Sequence, residues 1–305
     1  MTFGAEFLTL PDLFPGRASG ETWGEAALSL DVAGGPYRLE GLSPAQAAAV
    51  ARRFGPVAAG AAPAREGVLI RVFRAPETDF REFEVRGWQT RFDLDPGPRA
   101  LRVAGRRFVG RLEWAPDLSA ALWTAANEDE ELPGLVENFL RVVVAERAIE
   151  RGGALLHSAG VVAAGSAYLF FGPSGAGKTT ISRLSAAAGH TVLSDELNIV
   201  IESGDELVVE QLPFAGDYGR TAQRRETYRL AGAFRLAQAA APYLRELARP
   251  RAVAALAGCA PFVNGDPYRS ERLLDNLDRL IRRCRTGELG FALDPGFWGI
   301  LLPPP

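Results

Sequence analysis

The chain has 305 residues, of which 47% are hydrophobic and 23% charged, and its formal net charge is −3. This composition is typical of a folded globular protein, and the near-neutral charge gives no electrostatic reason to expect nucleic acid as a partner. Two cysteines and two histidines are too few for a disulfide framework and make a zinc site a poor expectation.

The first residues, Met1–Glu6, contain no basic stretch followed by an apolar run, so they do not resemble a secretory signal. No segment reaches the roughly 18 unbroken apolar residues of a membrane span. We therefore expect a cytoplasmic protein with no membrane partner.

Short apolar runs separated by Gly, Pro and Asp predict a small, mainly antiparallel β domain over residues 1–132. No catalytic constellation is visible in this half, and we interpret it as a substrate- or partner-binding domain. Its predicted elements are a helix from Ser43-Pro44 to about Phe54, strands at Gly67–Phe73 and Phe83–Trp88, and a hairpin at Ala100–Trp114 with its turn at Ala104-Gly105.

An acidic break at Asn127–Gly134 marks the predicted junction with a second domain, residues 133–305. The second domain is expected to begin with a helix at Leu135–Arg151, followed by the strands described below. Its last part is predicted to contain several helices over Glu226–Arg283 and a last strand at Leu289–Leu293, with Phe297-Trp298 packing after that strand.

The segment Gly172–Thr179 reads GPSGAGKT and fits the phosphate-loop pattern G-x-x-x-x-G-K-[ST]. A strand-like run precedes it and a helical pattern follows it, which is the context that this motif requires. Lys178 is expected to reach the β- and γ-phosphates of ATP, and the Thr179 hydroxyl to ligate Mg²⁺. The predicted ATP-binding residues are Gly172, Pro173, Ser174, Gly175, Ala176, Gly177, Lys178, Thr179 and Thr180.

Two adjacent acids, Asp195-Glu196, follow the next predicted strand, Thr191–Ser194. Only one short helix and one strand separate them from Lys178, so their carboxylates are expected to face the phosphates. A carboxylate there can bind Mg²⁺ or accept the proton of an attacking hydroxyl.

Hairpin spacing on both sides of the loop predicts a mixed sheet rather than a doubly wound parallel one. This argues against transporter ATPases and GTPases. The predicted hairpins join Gly160–Ala163 to Ala167–Phe171 and Asn198–Ile201 to Glu206–Glu210.

His157 lies at the start of the strand pair that leads into the loop. A single histidine is more often structural, but its expected position beside the strand that ends at Asp195 favours a functional role. His190, which follows the helix end at Gly189, is interpreted as structural.

The order of these features resembles the core of the HPr kinase/phosphorylase family. The shared pattern is a histidine, a short hairpin, the phosphate loop, the pair Gly189-His190 and two adjacent acids. The spacing is 21 residues from His157 to Lys178 and 17 from Lys178 to Asp195. The resemblance implies an α/β fold of the HPr kinase and PEP carboxykinase type with a P-loop kinase domain.

The resemblance also implies roles by position. Asp195 would be the catalytic base that takes the proton from a serine hydroxyl, and His157 would tune or orient it, with Lys178 on the phosphates. Glu196, where the family usually has a second aspartate, would share Mg²⁺ with Thr179 and Asp195. Related kinases are often oligomeric, which leaves room for a homo-oligomer.

The whole chain is more similar to divergent HPr-kinase-related proteins, among them lasso-peptide tailoring kinases. The shared features are an N-terminal β-rich domain, a helix leading into His157, a stretch like Pro213–Asp217 and a tail like Phe291–Trp298. Asp217 is interpreted as a second metal or substrate contact or as a turn aspartate. The remaining candidates, which could neutralise phosphate charge or form a solvated helix face, are Arg220, Arg224 and Arg225.

The Glu-Val-Arg-Gly signature that HPr kinases carry after the two acids is absent, because Pro213–Arg220 occupies that part of the chain. The same letters at Glu84–Gly87 are interpreted as a coincidence. The difference leaves open both the reverse, phosphorylase reaction and HPr as the substrate.

The resulting prediction is an ATP- and Mg²⁺-dependent kinase for a hydroxyl, with serine of a peptide or small protein as the first expectation. Two alternatives stay open at this point. One is a kinase for a small metabolite, with the C-terminal third forming its pocket. The other is a regulator that binds or hydrolyses ATP without phosphorylating an acceptor.

Overall fold

The computed structural model describes residues 20–59, 67–80, 93–114, 117–126, 131–214, 216, 218–219 and 226–302. The chain forms two compact units, one up to Val144 and one from Ala145 onward, and the division falls inside the helix Leu132–Glu150. Both units are built on a mixed sheet of eight strands, so the fold class is α/β. The predicted strand Phe83–Trp88 lies outside the described residues, as does Glu84–Gly87.

The described residues of the first unit form eight strands and helix α1. They are β1 Ala26–Leu30, β2 Tyr37–Leu42, α1 Pro44–Phe54, β3 Ala58–Ala59, β4 Val68–Arg74, β5 Asp93–Pro96, β6 Ala100–Gly105, β7 Phe108–Trp114 and β8 Leu118–Thr124.

The strand order in this sheet is β3-β1-β2-β4-β8-β7-β6-β5. The pairs β2–β4 and β4–β8 are parallel and the others are antiparallel. The sheet is therefore mainly antiparallel, as expected, and the two parallel pairs make it mixed. The parallel pair β2–β4 follows from the crossover that α1 provides, because parallel strands need a long connection.

Helix α1 confirms the predicted start, since Ser43 Oγ accepts a hydrogen bond from the Gln46 backbone N–H and the Gln46 side chain accepts one from the Ser43 N–H. The predicted hairpin is also present, but its turn is at Arg106-Arg107, with Arg107 at φ 58°. The predicted turn at Ala104-Gly105 was wrong, because Gly105 lies in β6 and pairs with Phe108. Glycine is needed at this position since a Cβ there would collide with the Phe108 ring.

Helix α2, Leu132–Glu150, enters the second unit. The remaining elements are β9 Ala154–Ala163, β10 Ser166–Phe171, α3 Lys178–Ala187, β11 Thr191–Ser194, β12 Leu197–Ser203, β13 Glu206–Glu210, β14 Thr227–Gln238, β15 Tyr243–Arg245, α4 Arg249–Ala257, α5 Ser270–Arg283, β16 Arg285–Phe291 and α6 Trp298–Leu301.

The second sheet has the order β10-β9-β12-β13-β14-β16-β15, with β11 beside β9. Strand β14 also pairs with β10, in parallel, so the pairing returns to the strand that leads into the phosphate loop. The two hairpins β9–β10 and β12–β13 confirm the predicted mixed sheet. Helix α3 packs on the sheet through Ile181, which shares a buried core with Phe170, Phe234 and Trp298.

The prediction of several helices from Glu226 onward was wrong for its first part, which forms the long strand β14 and the short strand β15. Only α4 and α5 in this region are helical. In β14 the buried residues Leu230, Phe234 and Leu236 are an even number of positions apart, and the alternate residue Arg229 is exposed. This period of two is the pattern of a strand, and the Ala-, Leu- and Arg-rich composition concealed it.

Candidate functional site

The phosphate loop connects β10 to α3. Gly175 and Gly177 have φ of 79° and 103°, which favours glycine. A Cβ at Gly177 would lie 2.6 Å from the Phe291 ring. Lys178 is buried, and its Nζ donates to the carbonyl oxygens of Gly172 at 3.2 Å and Pro173 at 3.4 Å. The ammonium group is therefore held inside the loop at the first residue of α3, where the helix dipole favours an anion.

The strand register brings the ends of three strands to one edge of the sheet. Strand β9 runs between β10 and β11 and is antiparallel to both, with Phe171 opposite Ser158 and Ser194 opposite Gly160. The phosphate loop, the beginning of β9 and the end of β11 therefore share this edge. His157 is the neighbour of Ser158 and pairs with Leu197 of β12.

Asp195 and Glu196 interrupt the pairing between β9 and the successive strands β11 and β12. Ser194 stabilises this interruption, because its Oγ accepts hydrogen bonds from the backbone N–H of Glu196 at 3.1 Å and of Leu197 at 3.2 Å. The Glu196 carbonyl accepts a hydrogen bond from the Ser158 N–H at 3.1 Å. Asp195 and Glu196 therefore lie in a bend between β11 and β12, outside the regular pairing with β9.

The Asp195 carboxylate contacts the phosphate loop directly. It is 4% exposed, and its Oδ2 accepts hydrogen bonds from Thr179 Oγ1 at 2.7 Å and from the Tyr218 backbone N–H at 2.9 Å. Its Oδ1 is buried and has no hydrogen-bond partner among the described residues. Gly216 lies against the same carboxylate, and a Cβ there would press on Oδ1 and lie 2.8 Å from the Glu196 Cβ.

His157 is linked to the loop through Cys259. Its side chain is exposed, and its N–H donates to the Cys259 carbonyl at 2.6 Å. The Cys259 Sγ in turn lies 3.9 Å from the Gly172 carbonyl oxygen. On β9, His157 alternates in phase with Ala159 and Val161, which belong to the core beneath α3. The His157 side chain therefore projects from the same face of β9 that packs against α3.

Some of the remaining predicted residues lie in the described part of the chain and others do not. Glu196 and Thr180 are half-buried, whereas Pro173 and Ser174 are exposed at the tip of the loop. His190 packs against Trp298 with ring centroids 4.4 Å apart, and burial lowers the pKa of His190. The residues Asp217, Arg220, Arg224 and Arg225 lie outside the described part of the chain.

Four residues at the site carry no motif in the sequence. Cys259 and Tyr218 contribute backbone groups, and Asn198 Nδ2 donates to the Ser158 carbonyl at 2.7 Å. Gln238 Nε2 donates to the Gly175 carbonyl at 3.1 Å. Burial raises the pKa of the Cys259 thiol, an effect that the positive charges of Lys178 and Arg235 reduce.

A magnesium ion fits the donor set. Thr179 supplies a hydroxyl oxygen, and the unpartnered, buried Asp195 Oδ1 supplies a carboxylate oxygen of the kind that Mg²⁺ or its bound water takes. Within the described ranges, no three His, Cys, Asp or Glu side chains are grouped so as to hold a metal by themselves. The phosphate oxygens of a nucleotide would therefore have to complete the coordination.

No protein-family model matches the chain, and no curated protein matches it either. Among the described helices, none has the length and apolar character needed to cross a membrane.

Proposed function

We propose that the chain is a cytoplasmic, ATP- and Mg²⁺-dependent kinase of the HPr-kinase-like P-loop fold. It transfers the γ-phosphate to a hydroxyl group, and the acceptor is a serine of a peptide or small protein. The N-terminal unit binds that acceptor or a partner.

The observation that carries this proposal is the 2.7 Å contact between Asp195 and Thr179. It joins a buried carboxylate to the residue that follows the loop lysine. Phosphoryl transfer is mostly positioning and charge neutralisation, with a carboxylate to accept the proton of the attacking hydroxyl. A carboxylate at this place holds Mg²⁺ in P-loop proteins generally, and the kinase proposal gives Asp195 the further role of proton acceptor.

Each residue then has a distinct role. The loop amides and Lys178 bind the phosphate chain, and Thr179 orients the Asp195 carboxylate through its hydroxyl. Asp195 accepts the acceptor's proton, and His157, on the neighbouring strand, tunes or orients the Asp195 carboxylate. Glu196, Thr179 and Asp195 would hold Mg²⁺, which neutralises charge on the β- and γ-phosphates when bound.

The direct test is incubation of the purified protein with γ-labelled ATP, Mg²⁺ and a lysate of its source cells. We expect the label to appear in a peptide or protein as phosphoserine, identified by mass spectrometry of the labelled band. A Lys178→Ala variant serves as the control and should leave the same band unlabelled, because the phosphate chain loses its cation.

Two outcomes would contradict the proposal in different ways. Label found only in a small molecule would replace the peptide acceptor by a metabolite and keep the kinase. Release of label only as inorganic phosphate, with no labelled acceptor, would support an ATP-hydrolysing regulator instead.

A further inference from the structure

We propose that the loop after β16, residues 292–296, binds the base of the nucleotide, with Leu293 as its apolar contact. The inference rests on the proposed function, because it assumes that the nucleotide's phosphates lie in the loop 172–179. The proposal places a subsite for the nucleotide base, a flat aromatic heterocycle, next to the phosphate site.

The strand order gives the direction in which the nucleotide must extend. Asp195 and Thr179 mark the reactive end of the phosphate chain, and Asp195 follows β11, which lies beyond β9 on one side of β10. Strands β14 and β16 lie on the other side of β10. With the γ-phosphate on the Asp195 side, the nucleoside leaves the loop toward the ends of β14 and β16.

These two strands end at the same edge as the phosphate loop, because β14 is parallel to β10 and β16 is parallel to β14. Their last residues contact the loop. Gln238 Nε2 donates to the Gly175 carbonyl at 3.1 Å, and the Phe291 ring lies against Gly177. The segment 292–296 therefore begins next to the phosphate loop.

Leu293 is 85% exposed, the highest value among the large hydrophobic side chains in the described ranges. Its loop is anchored on both sides, because Phe291 and Phe297 are buried with ring centroids 6.1 Å apart. Within the loop, the Asp294 side chain accepts a hydrogen bond from the Gly296 N–H at 2.8 Å. A fixed loop thus holds an apolar side chain in solvent beside the phosphate loop, where a base can cover it.

The experiment compares ATP with inorganic tripolyphosphate, which has the phosphate chain but no base. Isothermal titration calorimetry in the presence of Mg²⁺ gives the Kd of both ligands for the wild type and for Leu293→Ser. We expect the variant to bind ATP about tenfold more weakly, because the base loses its apolar contact. Tripolyphosphate should bind both proteins equally. Leu274→Ser, a change of another exposed leucine, on α5, should alter neither Kd.

The outcomes separate this inference from the function on which it rests. An unchanged ATP affinity in Leu293→Ser, or an equal loss for ATP and tripolyphosphate, would overturn the base subsite while the phosphate site stands. A wild type that binds tripolyphosphate as tightly as ATP would overturn it as well. A wild type that binds neither ligand would remove both proposals.

Discussion

Two carboxylates of the second unit are buried to a similar degree but are surrounded very differently. Asp195 accepts hydrogen bonds from Thr179 and from the Tyr218 N–H, and it touches the phosphate loop. Glu146 on α2 is 1% exposed, and neither of its oxygens accepts a hydrogen bond from the described residues. Its nearest cation is Arg269, with Nε 3.4 Å from Oε2.

The difference between the two acids lies in their hydrogen-bond partners and not in their degree of burial. Burial raises the pKa of Glu146 to about 8, and Arg269 reduces this effect only in part because it also pairs with Asp266 at 2.8 Å. Glu146 therefore carries a proton at neutral pH and acts as a polar group in the core. In Asp195 both donors are directed at Oδ2, and Oδ1 is left without a hydrogen-bond partner among the described residues.

Three variants test this comparison of Asp195 with Glu146. Thr179→Val is expected to have the largest effect, on the rate of phosphate transfer. The change keeps the side-chain shape but removes the hydroxyl that contacts Asp195 and is proposed to ligate Mg²⁺. We expect the rate of phosphate transfer to fall about 10²- to 10³-fold, the usual cost of removing one such group from a transition state.

The measurement is the initial rate of transfer from labelled ATP at saturating Mg²⁺. Thr191→Val, at a half-buried position of β11, is the matched control and should keep the wild-type rate. A Thr179→Val variant with an undiminished rate would show that the contact with Asp195 has no part in transfer.

Gly216→Ala should have the next largest effect. The new Cβ would press on Asp195 Oδ1 and approach the Glu196 Cβ to 2.8 Å, so the carboxylate must shift. A displacement of about 1 Å in a catalytic group costs about 10²-fold in rate, while ATP binding at the loop should change little.

Steady-state kinetics on Gly216→Ala and on Gly134→Ala would check this expectation. A Cβ at Gly134 meets nothing within 4 Å, so that variant should behave as the wild type. Equal rates in the two variants would mean that the position of Asp195 does not limit the reaction.

The smallest effect is on stability and concerns Glu146. The folded protein retains a proton on this group up to about pH 8, whereas the unfolded chain loses it near the ordinary value of 4.5. The folded state thus binds more protons in this window, and the free energy of unfolding decreases as the pH rises from about 5 to 8. Glu146→Gln removes this contribution and keeps the shape.

Thermal unfolding of the wild type and of Glu146→Gln at pH 5, 6.5 and 8 would measure the contribution of Glu146 to stability. We expect Glu146→Gln to raise Tm at pH 8 and to change it little at pH 5, because the unfavourable deprotonation of Glu146 in the folded state contributes only at the higher pH. Glu150→Gln, which changes a half-buried partner of Arg147, should show no such trend. A gain that is the same at all three pH values would contradict the assigned protonation.

The parts of the site that the sequence could predict are local ones. Glycine and lysine spacing in Gly172–Thr179 specifies a loop between a strand and a helix, and the structure has β10 and α3 there. The strand Thr191–Ser194 and both hairpins are likewise confirmed, because their turns and alternation lie within about ten residues. Short connections also restrict where the Asp195 strand can lie.

The parts that could not be predicted depend on residues far apart in the chain. Cys259 is 87 positions from Gly172, and Tyr218 is 23 from Asp195, and neither contact leaves a local pattern. Strand β14 was hidden because Ala, Leu and Arg are common in helices, while burial at alternate positions depends on β10 and β16 beside it. The parallel pairs β2–β4 and β4–β8 of the first sheet could not be predicted either, because they too join residues that are far apart in the chain.

The central claim, that the carboxylate beside the phosphate loop takes part in transfer, is tested most directly by Asp195→Asn. The amide keeps the size of the side chain and can still accept a hydrogen bond from Thr179, but it cannot take a proton. We expect the variant to bind ATP with wild-type affinity and to lose at least about 10²-fold in transfer to the acceptor. Wild-type transfer by Asp195→Asn, with ATP binding intact, would contradict the role of Asp195 as the group that accepts the proton.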